Sequence, residues 1–125
     1  MQVKIDTKEK YHVITIHETE LTANMTEPLQ ASLLTYLKNA TENVVLDLKD
    51  IQNIDDAAAE TLINIQQAFY EQSASFVICN LQVSVQHMLD ATGLLEIINE
   101  VPTQLEAADI IHMEEIEREL LEGDL

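Results

Sequence analysis

The chain has one cysteine, two glycines and a single arginine among its 125 residues, and each shortage removes a class of function. Cys79 has no second thiol to pair with. It lies in the apolar run Phe76 to Cys79, so it is expected to be an inert core residue. Gly93 and Gly123 cannot build a glycine-rich phosphate cradle, and neither a His-Glu-x-x-His helix nor a paired-cysteine metal motif occurs. No catalytic residue, no metal site and no cofactor is therefore expected. The first residues, Met1 to Lys8, contain no apolar signal region, and no apolar run approaches the roughly 20 residues needed to span a bilayer. The expectation is a cytoplasmic protein without direct membrane insertion.

Cations are scarce and unevenly placed. Residues 1–54 carry a net charge of −3 and residues 55–125 carry −14, with Arg118 the only cation of the second stretch. A surface of that sign repels phosphate backbones and anionic headgroups, which argues against nucleic acid and membrane surfaces and for a basic protein partner. The length suits one domain with a single core, and no low-complexity tract suggests disorder.

Apolar periodicity divides the chain into alternating elements. Gln2 to Thr7 alternates Val3 and Ile5 with polar neighbours, the pattern of a half-buried strand, and Tyr11 to His17 supplies a second strand that pairs with it as a hairpin. His12 and His17 lie five apart on that strand and so point to opposite faces, which excludes a shared metal. Thr26 with Pro28 signals a helix start, and Leu29, Leu33, Tyr36 and Leu37 form its apolar face. Val44 to Leu48 reads as a buried strand despite its interior Asp47. A helix follows from about Ala57 to Gln72, with Ala58, Leu62, Ile65 and Phe69 inward, and Asp55 or Asp56 is placed to cap it. Ser75 to Asn80 is another strand. Ser84 is expected to cap a short helix that Gly93 ends, Leu95 to Ile98 is a candidate last strand, and Thr103 with Glu106 forms a capping box for a final helix. Strands alternating with helices imply an α/β fold: a mixed, mostly parallel sheet of four to five strands with helices packed on it.

The strand Val-Val-Leu-Asp-Leu, the following Ile-x-x-Ile-Asp and a helix opening in small residues resemble the STAS domain, the family of bacterial anti-sigma factor antagonists. A second point of similarity is Leu89 to Leu94, which matches the family's Leu-x-x-Thr-Gly-Leu stretch. In the family the helix opens with Asp-Ser-Ser-Gly and its second serine is phosphorylated. Aligning Asp55 with the family aspartate keeps the eight-residue step from Asp47 and puts Ala59 and Leu62 on apolar positions; Asp56 in its place would put Glu60 on one of them. Asp56 then stands at the first serine, Ala57 at the second and Ala58 at the glycine. The resemblance therefore implies a non-catalytic module in bacterial transcription regulation that binds an anti-sigma factor or serine kinase-like partner. It implies docking through Asp55, Asp56, Ala57, Ala58 and Thr61, together with Thr22, which stands where the family has the aspartate of a Gly-x-Leu-Asp turn. No serine phosphorylation switch is expected, because Ala57 has no hydroxyl. Alanine at position 58 is expected to stiffen the helix start and add a methyl to the presented surface.

Two alternatives stay open: a subunit of a larger assembly such as a lipid-transport ABC complex or signalling scaffold, and a small-ligand or metal sensor. The division expected is a STAS-like domain over residues 3–112 and an acidic helical extension over 113–125. In that extension Glu114 with Arg118, and Arg118 with Glu122, have helical ion-pair spacing, while Ile116, Leu120 and Leu121 give a narrow apolar edge. A solvated end, a docking helix and a homodimer contact are all compatible with it.

Overall fold

The computed structural model describes residues 1–39 and 41–123. Its elements are β1 (Val3–Thr7), β2 (Tyr11–Ile16), β3 (Glu20–Leu21), α1 (Thr26–Leu34), β4 (Asn43–Asp47), β5 (Asn53–Ile54), α2 (Asp56–Glu71), β6 (Phe76–Cys79), α3 (Val83–Ala91), β7 (Glu100–Val101) and α4 (Gln104–Gly123). Five strands form the main sheet in the order β1-β2-β4-β6-β7. Only β1 runs antiparallel to its neighbour; the other three pairings are parallel. β3 and β5 pair separately as a two-residue parallel ribbon, too short to leave a period in the sequence.

The strands are apolar because both faces are covered. Ile14, Ile16, Val44, Leu46, Phe76 and Ile78 face α1, α2 and α3, where they meet Leu29, Leu33, Leu62, Ile65, Phe69, Val85 and Leu89. Their neighbours Val13, Val45, Val77 and Cys79 face the other way, against Ala107 and Ile111 of α4. Such double burial is why β4 reads as a continuous apolar run rather than an alternating one. The mostly parallel α/β sheet expected from the sequence is the sheet observed.

Several local expectations give way to tertiary context. β1 is exposed at every residue, Ile5 at 51%, because it is the outermost strand and the helices lie over the inner ones. α1 does start at Thr26, entered through a 3-10 turn at Ala23–Met25 with Thr26 Oγ1 donating to the Ala23 carbonyl at 2.8 Å, but it ends at Leu34, and Tyr36 and Leu37 lie in a 3-10 turn at Thr35–Lys38. Ser84 is not the cap of α3; Gln82 holds that place, and the Ser84 hydroxyl instead donates to the Gln52 carbonyl at 2.8 Å. Gly93 does end that helix with φ +78°. The last strand is Glu100–Val101 rather than Leu95 to Ile98, since Ile97 and Ile98 close a turn onto Leu94. Of the expected capping box, the bond from the Glu106 amide to Thr103 Oγ1 is present at 3.2 Å. Position 113 falls in the middle of α4, which continues unbroken from Gln104.

Candidate functional site

α2 begins at a corner where two separate turns of chain are tied to one carboxylate. Ile54 closes β5 in the core, and Asp55 follows in extended geometry with φ −92° and ψ 171°. Its Oδ1 accepts from the Ala58 amide at 2.9 Å, which makes it the N-cap of α2. Its Oδ2 accepts from the Ala23 amide at 2.8 Å, and its own amide donates to the Leu21 carbonyl at 3.1 Å. Of the two candidate caps, Asp55 does the capping. Both of its oxygens are committed to backbone, so it is a fastening point and not a free acid.

The residues around that fastening separate into outward and inward ones. Asp56 and Ala57 are exposed in the first turn of α2, beside the positive end of its dipole. Thr22 is half-buried directly before Ala23, so the Asp55 bond to Ala23 brings it to the same corner. Thr61 is half-buried one turn on, its Oγ1 donating to the Ala57 carbonyl at 2.9 Å. Ala58 points inward: it is 0% exposed, and its methyl lies in the core instead of on the presented surface. The inward face of α2 requires this, since Ala58, Leu62, Ile65 and Phe69 recur at helical spacing. The corner therefore presents one carboxylate and one methyl, Asp56 and Ala57, framed by two threonines.

A second polar centre lies at the carboxyl end of β4. Asp47 is 0% exposed and accepts from the Lys49 amide at 3.0 Å, Asn80 Nδ2 at 3.1 Å and Gln104 Nε2 at 2.7 Å. A charge so buried is tolerable only with such donors, and these three tie β4, the end of β6 and the start of α4 together. Cys79, beside it, is buried, and burial followed by the Asp47 charge pushes the thiol up to about 12. That removes nucleophilic character from the only thiol of the chain.

The third centre, at the opposite end of the same strands, has no motif in the sequence. Tyr70 and Ser75 donate to Glu114 Oε1 at 2.8 and 2.6 Å, and Arg118 donates to Ser75 Oγ at 2.8 Å and to Glu115 Oε1 at 3.0 Å. Asn43 Nδ2 reaches the same Glu115 oxygen at 2.8 Å, and Asn99 Nδ2 donates to the Tyr70 hydroxyl at 2.8 Å. Burial, then Glu114, raise the Tyr70 hydroxyl far above its usual range. Arg118 thus pairs with Glu115 rather than with Glu114 or Glu122, because Glu114 is engaged by Tyr70 and Ser75.

The histidines do not converge. His12 is buried between Thr7 Oγ1 at 2.9 Å, the Thr41 carbonyl at 3.1 Å and the Tyr36 ring, while His17 meets Asp50 at the surface at 2.9 Å. Among the described residues no three His, Cys, Asp or Glu side chains are grouped to hold a metal ion. No helix of the described residues is long and apolar enough to cross a membrane.

Solved structures share this fold. An anti-sigma factor antagonist (STAS) domain protein from Planctomyces limnophilus superposes with a TM-score of 0.75 at 18% identity, over 88% of this chain and 97% of that one. A point variant of the RsbS protein of Moorella thermoacetica gives 0.73 at 21% identity, over 90% and 96%. A murine anion transporter, Solute Carrier 26 family member A9, contains the same fold in 18% of its chain, with a TM-score of 0.71 at 13% identity over 86% of this chain. A search of curated proteins finds no match. The STAS domain family model matches residues 3–109, which contain the Asp55 corner and the buried Asp47, and this chain belongs to that family.

Proposed function

We propose that the protein is a non-catalytic interaction module of the anti-sigma factor antagonist kind, which docks an anti-sigma factor or serine kinase-like protein through Asp56, Ala57, Thr61 and Thr22 and is not switched by serine phosphorylation. The observation that carries this reading is the exposed Asp56–Ala57 pair, held on a helix start whose cap, Asp55, is also bonded to the turn at Ala23. A surface fixed in this way can be recognised with little ordering cost. Ala58 and Asp55 support the corner from behind rather than touching the partner. Where the family has a phosphorylatable hydroxyl, Ala57 offers a methyl, and the hydroxyl one turn on, that of Thr61, is engaged by the Ala57 carbonyl. A phosphoryl group would add about −1.5 to −2 charge at this point. A module that cannot receive it holds its partner under conditions that release a phosphorylated relative.

The test is binding of a purified anti-sigma factor from the same cell, measured by calorimetry against wild type, Asp56→Arg and Ala57→Ser. The reading requires that Asp56→Arg weaken binding about tenfold or more, and that Ala57→Ser bind as wild type until the cognate kinase phosphorylates it. Equal binding by wild type and Asp56→Arg would remove the corner as the interface. Incorporation of phosphate by wild-type protein, abolished by Thr61→Ala, would remove the absence of a switch.

A further inference from the structure

The helix on the far side of the sheet has two apolar faces where folding needs one. Ala107 and Ile111 of α4 pack on β4 and β6, and Glu114, Glu115 and Arg118 of the same inward side hold Tyr70, Ser75 and Asn43. At about 100° per residue, Leu105, Met113, Ile116 and Leu120 fall within an arc of roughly 80° on the opposite side. They are exposed at 74%, 60%, 56% and 64%. An inward face that already satisfies the fold gives no reason for a second apolar stripe, and a stripe of this kind on a soluble surface is the usual mark of a contact.

Its surroundings identify what fits. Exposed Glu106 and Glu117 border the stripe on one side and exposed His112 and Glu119 border it on the other, while exposed Asp109 lies within the arc, between Ile116 and Leu120. The only arginine, Arg118, is turned inward to Ser75 and Glu115 and neutralises none of them. A second copy of this chain would bring the same carboxylates face to face on a molecule of net charge −17. A helix whose own apolar stripe is flanked by Lys and Arg meets both features at once. We propose that the outward face of α4 docks such a basic amphipathic helix of a protein partner. The face lies across the sheet from the Asp55 corner, and the proposal does not rest on that corner.

The test uses two synthetic helical peptides of equal length and equal leucine spacing, one with lysine and one with glutamate at the flanking positions, titrated into the full chain by fluorescence anisotropy. The lysine peptide should bind and the glutamate peptide should not. The double variant Ile116→Ser/Leu120→Ser, which changes exposed side chains and no charge, should weaken lysine-peptide binding at least tenfold while leaving the urea midpoint unchanged. Retention of full binding by that variant would show mere attraction of a cation to a polyanion and would overturn the proposal. So would equal binding of the two peptides. Sedimentation of the free chain as a dimer that Ile116→Ser/Leu120→Ser dissociates would assign the face to a second copy instead.

Discussion

Asp55 and Ala23 are 32 residues apart in sequence and joined by a 2.8 Å hydrogen bond, from the Ala23 amide to the carboxylate that also caps α2. One side chain therefore sets the start of α2 and fixes the turn that leads into α1. The surface formed by Thr22, Asp56 and Ala57 owes its shape to that double use.

Asp55→Ala should cost more than an ordinary cap. Loss of an N-cap costs about 1 kcal/mol, and a second unsatisfied amide at Ala23 adds up to about the same again. Asp55→Asn should recover most of the loss, because its amide oxygen can still serve Ala58. Urea unfolding midpoints of the two variants decide it: a loss of about 2 kcal/mol for alanine with half or less for asparagine is expected, and equal losses would mean that charge, not geometry, holds the corner.

How far the sequence leads depends on how local the cause is. The inward face of α2, the buried character of β4 and the glycine that ends α3 follow from spacing and backbone preference within a few residues, and all three are found where the pattern puts them. At the corner, a cap is legible at Asp55 or Asp56 but not the choice between them, and the bond to Ala23 is not legible either, because nothing local in residues 20–25 points to position 55. Two-residue strands such as β3 and β5 leave no period to read. Ser84 shows the same limit from the other side: a residue of good capping type is drawn away by a carbonyl 32 positions distant. Tyr70, Ser75 and Glu114 are illegible as a group, since each is ordinary alone and only the packing of α4 on β6 brings them together.

Tyr70 and Glu114 should behave as a coupled pair. The Tyr70 hydroxyl donates to Glu114 and accepts from Asn99, so Tyr70→Phe leaves Asn99 Nδ2 with only its 3.3 Å bond to the Phe76 carbonyl and removes a donor from the carboxylate. A double-mutant cycle with Glu114→Gln should give an interaction of about 1 to 2 kcal/mol, read from urea unfolding. Additive losses would mean that Ser75 alone holds the Glu114 carboxylate.

Asp47 should be the most costly single carboxylate to replace. Asp47→Ala leaves the Asn80 and Gln104 side-chain amides and the Lys49 backbone amide without their acceptor, around a side chain that is itself 0% exposed. A loss of about 3 kcal/mol or more is expected by denaturation. Gln104→Ala should cost less, since it removes one donor and leaves the other two in place. A loss below about 1 kcal/mol for Asp47→Ala would show that water enters to replace it.

Cys79 should make stability fall in alkali. Its thiol ionises at 9.0 in a solvated chain and at about 12 when buried beside Asp47, so the folded state holds the proton more tightly. The stabilisation is fully present below the unfolded value and is lost as pH rises from 9.0 towards about 12. The slope reaches about 1.4 kcal/mol per pH unit at most. Tyr70, raised in the same direction, adds its own decline above its ordinary value of 10.0. Urea midpoints of wild type should therefore drop between about pH 9 and about pH 10, where Tyr70 is only starting to contribute, and those of Cys79→Ala should fall by less than half as much over that interval. The same burial predicts that iodoacetamide at about pH 8 labels Cys79 only at the rate of unfolding, becoming fast in urea. Rapid labelling of the native protein, or an identical alkaline decline in Cys79→Ala, would mean that the thiol is reached by water through motion of α4, the helix that covers it.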